Sequence, residues 1–130
     1  MCIFCKIVEK QIPSSCIYED EHVMAFLDLS QVTKGHTLII PKKHYDNFLE
    51  CDSEVLAHLM KVAQMLSKRI VERLNAQGMN ILSNINEVAG QSVFHFHLHL
   101  IPRYNENDAI SIQFNESEKQ DLNSLCDLLK

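Results

Sequence analysis

His95, His97 and His99 stand at every second position of the segment Gln91–Arg103. In a β-strand, residues two apart point to the same face, so the spacing predicts three imidazoles in a row. Phe94, Phe96, Leu98 and Leu100 would line the opposite, core-facing side. Neutral imidazole is a nucleophile near pH 7, and the protonated ring donates hydrogen bonds to phosphate. Adjacent imidazoles resist simultaneous protonation, so at least one stays neutral and able to attack. A solvated polar face would explain one histidine, but not three following Gly90-Gln91-Ser92. A single zinc held by all three is geometrically poor. Three same-face residues span roughly 13 Å at ~3.3 Å per residue, whereas each metal–nitrogen bond is about 2 Å.

The cysteines define a second candidate. There are five, an odd number, which rules out a complete internal disulfide framework. Cys2-x-x-Cys5 has metal-ligand spacing, with two free thiols as the alternative in a reducing compartment. Cys16, Cys51 and Cys126 have no evident partners, and His22 and His58 read as surface residues. Lys42 and Lys43 read as solvated.

These groups need a scaffold. Phe4–Lys10 fits a short helix. Cys16–Glu19 and Val23–Asp28 fit two strands around the acidic turn Glu19-Asp20-Glu21, and His36–Ile40 fits a third, closed by Pro41. A long helix is predicted from Asp52 or Ser53 to about Asn75, stopped by Gly78. Its buried face is read as Leu56, Leu59, Met60, Ala63, Leu66, Ile70 and Leu74. Val55, Val62 and Met65 widen this surface enough to meet a second subunit or to lie under the chain's own loops. Met79–Asn84 and Ser92–Ile101 complete about five strands, and Glu116–Leu129 forms a terminal helix. Short connections favour antiparallel pairing, so the fold class is α+β, with one long helix and short terminal helices.

The chain of 130 residues suits a single domain over 1–130. Its net charge of −5 is spread without a basic block, which argues against a nucleic-acid polymer as partner. No run reaches the ~18 apolar residues of a membrane span, and the N-terminus lacks a signal-peptide core, so a cytoplasmic location without membrane attachment is expected.

The motif His95-Phe96-His97-Leu98-His99, preceded by Gly90-Gln91-Ser92-Val93, resembles the histidine triad signature. Upstream, Ile3-Phe4-Cys5-Lys6-Ile7, Ile12-Pro13, Tyr18-Glu19-Asp20, Ala25-Phe26-Leu27-Asp28, Gly35-His36 and Ile40-Pro41-Lys42-Lys43-His44 resemble the Hint branch of that family, in the bacterial type with a Cys-x-x-Cys N-terminus. The similarity runs from about Ile3 to Arg103. It implies a homodimer of α+β subunits that transfers or hydrolyses nucleotidyl groups through a covalent nucleotidyl-histidine. By the resemblance, His97 is the nucleophile, with His99, His36, His95 and Ser92 completing the catalytic set. Asp28, Asn84 and Gln91 bind the nucleotide, and Ile3, Phe4, Ile7, Phe26, Leu27 and Leu29 wall a slot for the base. A structural zinc on Cys2, Cys5, His44 and His95 is also implied, with no organic cofactor. The implied activity is that of a purine nucleoside phosphoramidase. A dinucleoside polyphosphate hydrolase and a nucleotide-binding scaffold dimer are the alternatives; the fragile-histidine branch usually has Asn and Gln where this chain has Asp28 and Asn84.

Overall fold

Val23-Met24-Ala25-Phe26-Leu27 and Thr37-Leu38-Ile39-Ile40-Pro41 show no polar alternation, the pattern of strands covered on both faces. In the computed structural model, which describes residues 2–108 and 110–130, both are central strands. The elements are α1 (Ile3–Val8), β1 (Cys16–Glu19), β2 (Val23–Leu27), β3 (Thr37–Pro41), α2 (Ser53–Leu74), β4 (Gly78–Leu82), a 3-10 turn at Glu87–Ala89, β5 (Leu98–Arg103) and α3 (Leu122–Leu129). The five strands form one sheet in the order β1-β2-β3-β5-β4, antiparallel throughout.

Strand period sorts the core into two layers. Val23, Ala25, Ile39, Leu98 and Leu100 pack with Leu59, Val62, Ala63, Leu66 and Ile70 of α2. Met24, Phe26, Leu38 and Ile40 face the other way and pack with Phe4 and Ile7 of α1. The sheet is thus sandwiched between a helix of 22 residues and one of six. An isolated six-residue helix is unstable in water, so α1 depends on what anchors it.

Several boundaries differ from the sequence reading. Met60 is 45% exposed, because it lies on the ridge of Gln64 and Lys68, and Val62 takes its place in the core. Asn75, in the left-handed region at φ 54°, ends α2; Gly78 instead opens β4. Pro102 does not end β5, which runs to Arg103. Pairing with β3 is finished by Leu100, and Pro102 faces only Met79 of β4, so its missing N–H is tolerated. The ladder also starts late, at Leu98 rather than Ser92. Pro41 has no N–H to offer, and its carbonyl is taken by the His95 ring. Phe94 accordingly is 40% exposed rather than core. The last helix begins at Leu122, where the Asp121 carboxylate caps it; Glu116–Gln120 has no apolar residue to bury.

His58 is more than a surface residue. Its Nε2 lies 2.7 Å from Asp20 Oδ2, tying α2 to the β1–β2 turn. Lys42 pairs with Glu19 at 2.7 Å, and Lys43 sits over the Tyr45 ring at 5.5 Å. No helix among the described residues is long and apolar enough to cross a membrane.

Candidate active site and metal centre

The sheet face covered by α1 carries the candidate site. Phe96 keeps the alternation of Leu98 and Leu100 and packs toward α2. His95 and His97 fall on the opposite face, where the Phe4 ring meets both, at 5.9 and 5.1 Å between centroids. His99 lies beside them, 5.0 Å from His97. The alternation inferred for a continuous strand therefore survives, although only His99 of the three lies within β5.

Hydrogen bonds fix the protonation of each ring. His97 Nδ1 is 2.7 Å from the His95 carbonyl oxygen. A carbonyl only accepts, so Nδ1 carries the proton and Nε2 is left with a free lone pair. Burial lowers the pKa of His97 against the opposing pull of that hydrogen bond and of the Asp28 charge, so the neutral ring prevails at pH 7. His36 Nδ1 accepts from the Val32 amide at 3.4 Å, which places the proton on Nε2. His36 Nε2 then donates to His99 Nδ1 at 2.9 Å, leaving His99 with an N–H on Nε2. Burial, then the neighbouring His97 and His36, push His99 down to about 4. The pair therefore offers one free nucleophilic nitrogen on His97 and one N–H donor on His99.

A cleft of about 360 Å³ adjoins these rings, lined by Ile3, Phe4, Ile7, Phe26, Leu38 and Val93 among others, with Asp28 and Ser92 at its polar end. This volume lies in the range of small-ligand sites. Asp28 follows β2; its Oδ1 accepts from the Ser30 amide at 2.8 Å, and its Oδ2 lies 3.7 Å from His36 Nε2. Leu27 and Leu29 also line the cleft, but Leu29 is 98% exposed and forms only its lip.

Gln91 and His95 have their polar atoms engaged within the chain. Gln91 is 4% exposed, with its amide N–H groups on the Asp46 and Val93 carbonyls and its oxygen on the Asn86 amide. Its polar atoms are committed to shaping the loop. His95 is fully buried and has both nitrogens committed: Nε2 donates to the Pro41 carbonyl at 2.8 Å, and Nδ1 faces the two cysteines. Its carbonyl oxygen accepts from His97 Nδ1. Asn84 lies after β4, and its amide donates to the Gly90 carbonyl at 3.3 Å.

Cys2, Cys5, His44 and His95 converge, each offering one ligand atom within 4.8 Å of the others. His44 Nε2 is held by Asp46 Oδ1 at 2.9 Å and His95 Nε2 by Pro41. Both Nδ1 atoms are thereby left as lone-pair donors facing the sulfurs. The four sulfur–nitrogen distances are 3.3 to 3.6 Å. A tetrahedral ion with bonds of about 2.3 Å to sulfur and about 2.0–2.1 Å to nitrogen needs edges of about 3.5 Å. The donor set fits a closed four-coordinate metal site. Asp46, which orients His44, was not singled out from the sequence; a carboxylate two residues beyond a ligand histidine is the signal that was there to find. The roles of the Val32 amide and of the Pro41 and His95 carbonyls had none, because backbone atoms carry no residue-type signature.

A HIT domain model matches residues 9–106. The chain is 51% identical over 107 residues to Protein hit of Bacillus subtilis, covering 82% of this chain and 74% of that protein. It is 38% identical over 102 residues to Adenylylsulfatase HINT3 of Arabidopsis thaliana, covering 78% of this chain and 52% of that one. Among solved structures, a HIT family protein from Bacillus anthracis superposes with a TM-score of 0.91 at 48% identity, over 98% of this chain and 91% of that chain. A histidine triad nucleotide-binding protein from Candida albicans gives 0.85 at 32%, over 98% and 92%. A Zn-bound histidine triad family protein from Mycobacterium smegmatis gives 0.78 at 38%, over 91% and 84%. This chain belongs to the HIT family, whose members include histidine triad nucleotide-binding proteins and a HINT-type adenylylsulfatase.

Proposed function

We propose that this chain is a nucleotide hydrolase acting at an α-phosphate, with His97 as nucleophile and a purine nucleoside phosphoramidate as its preferred substrate class. The observation that carries the reading is the tautomer lock on His97: its Nδ1–H is spent on the His95 carbonyl, so a neutral Nε2 lone pair stands beside an apolar cleft. In the first half-reaction His97 Nε2 bonds to phosphorus as the P–N bond to the amine breaks. The anionic phosphate favours uptake of one proton by the hydrogen-bonded His36–His99 pair, and His99 Nε2 gives a proton to the departing amine, which leaves the pair with its resting complement. Water then adds to the same phosphorus and returns a proton to His99. The P–Nε2 bond breaks, releasing nucleoside monophosphate and neutral His97. His36 holds His99 in register, and the Ser92 hydroxyl at the cleft donates to the phosphate. Asp28 accepts the ribose hydroxyls, the apolar walls take the base, and Asn84 serves the phosphate side.

Cys2, Cys5, His44 and His95 would hold a structural zinc. Four protein ligands leave no open position, so the ion supplies anchoring rather than an activated water. The zinc-bound relative supports this reading. We further infer a homodimer in the cytoplasm. Met60 on α2 is 45% exposed, and Ile81 on the edge strand β4 is 49% exposed. Val62 and Met65 no longer argue for it, since both pack within the chain.

The deciding experiment compares kcat/KM for an adenosine phosphoramidate with that for a diadenosine polyphosphate, because discrimination is a difference in transition-state binding. A clear preference for the phosphoramidate is expected. A preference for the polyphosphate moves the chain to the second substrate class, and failure to turn over either leaves a binding protein.

A further inference from the structure

Phe4 sits where three parts of the molecule meet. Its ring is 7% exposed and makes edge-on contacts with Phe26 at 5.6 Å, His95 at 5.9 Å and His97 at 5.1 Å. The same ring lines the apolar cleft. In sequence it stands between the two cysteines, two residues after Cys2 and one before Cys5. Cys2 caps α1, its Sγ accepting from the Cys5 amide at 3.2 Å. Ile3, Phe4 and Ile7, all on this one helix, form one wall of the cleft.

A six-residue helix has no independent stability. Its apolar anchors, Phe4 and Ile7, already pack on the sheet. What fixes its N-terminal turn is the convergence of Cys2 and Cys5 on His44 and His95. We propose that Phe4 is a positioning residue linking metal occupancy to base binding: the metal-clamped turn sets the Phe4 ring, and that ring both walls the base slot and braces the His97 imidazole. The proposal rests on the nucleotide reading above and deepens it. It assigns metal loss a selective effect at the base end of the cleft, whereas a general loosening would weaken every part of the site alike. The polar groups, Asp28 after β2 and Ser92 in the loop before β5, are carried by segments other than α1.

The test uses the full-length protein, metal-loaded and after treatment with a chelator, with metal content read by elemental analysis. Binding of adenosine 5′-monophosphate and of ribose 5-phosphate, which lacks the base, is measured by calorimetry. Metal removal is expected to weaken the nucleotide about tenfold, on the order of 1.4 kcal/mol, and to leave ribose 5-phosphate unchanged. Phe4→Leu should reproduce the base-selective loss while retaining its metal, and metal removal from Phe4→Leu should add little more. Equal weakening of both ligands, or losses that simply multiply in the double case, would overturn the proposal. A second readout is independent of any ligand. Amide hydrogen exchange of α1 should accelerate on metal removal while the α2 amides Leu59 to Ile70 hold. Unchanged α1 exchange, or a native chain that takes up no metal, refutes the clamp even if nucleotide binds. An intact clamp without nucleotide binding in the wild type refutes the functional reading instead.

Discussion

At the scale of single residues, hydrogen bonds and burial assign the protons of the candidate site. His97 is kept neutral by burial and has one nitrogen spoken for; His99 is pushed to about 4. The unfolded chain binds a proton on His99 near its ordinary value of 6.5, and the native state does not until pH approaches 4. Stability should therefore be undiminished by this group above about pH 6.5 and fall as pH drops toward 4, with the lowered His95 and His97 acting in the same sense. Urea melts across that window check it, and His99→Gln should flatten the slope. Asp28 is the residue whose role is most open to test. Its Oδ2 lies 3.7 Å from His36 Nε2, and a His99 ring nitrogen is within 4.8 Å of its carboxylate; a carboxylate gains most from two vicinal hydroxyls. Asp28→Ala should weaken ribonucleotide binding by about 1.5–3 kcal/mol per lost hydrogen bond, and 2′-deoxynucleotide binding by less. Equal losses would make Asp28 a turn residue only.

At the scale of elements, the sheet and α2 were largely legible. Apolar runs named β2 and β3, and the helical period named most of the α2 face. The misses have local causes. The late start of β5 depends on the Pro41 carbonyl binding an imidazole, which no periodicity encodes. The end of α2 near Asn75 was expected, but its cause was assigned to Gly78, because Asn adopts the left-handed region without the signature a glycine carries. The link between His58 and Asp20 joins elements 38 residues apart and was invisible. Asp20 is a structural node. Burial works to raise its carboxyl, yet donors from His58, Tyr18, Val23 and His22 hold it well below the usual carboxylate range. Asp20→Asn should destabilise the fold by about 1–3 kcal/mol, read as a lowered melting temperature without a change in KM. An unchanged melting temperature would show that the turn does not need the charge.

At the scale of the whole molecule, one sheet carries a large helix on one face and the candidate site on the other. The histidine triad and the Cys-x-x-Cys pair were visible as spacings. The resemblance already gave His95 to both; what the sequence could not show is the division of its atoms, with the ring facing the cysteines and the carbonyl holding His97. Sedimentation at micromolar concentration is expected to give twice the 15.0 kDa chain mass, and Ile81→Lys on edge strand β4 should shift it toward the monomer. A wild type that sediments as one chain removes the inferred dimer.

The central claim is that a covalent bond forms between His97 and phosphorus. Rapid acid-free quenching of enzyme with an adenosine phosphoramidate, followed by peptide mass spectrometry, tests it directly. The account predicts a nucleoside monophosphate adduct on the peptide containing His97, absent in His97→Ala, whose turnover should fall by several powers of ten while it still binds nucleotide. An adduct on another residue, or His97→Ala retaining a tenth of wild-type kcat, would contradict it.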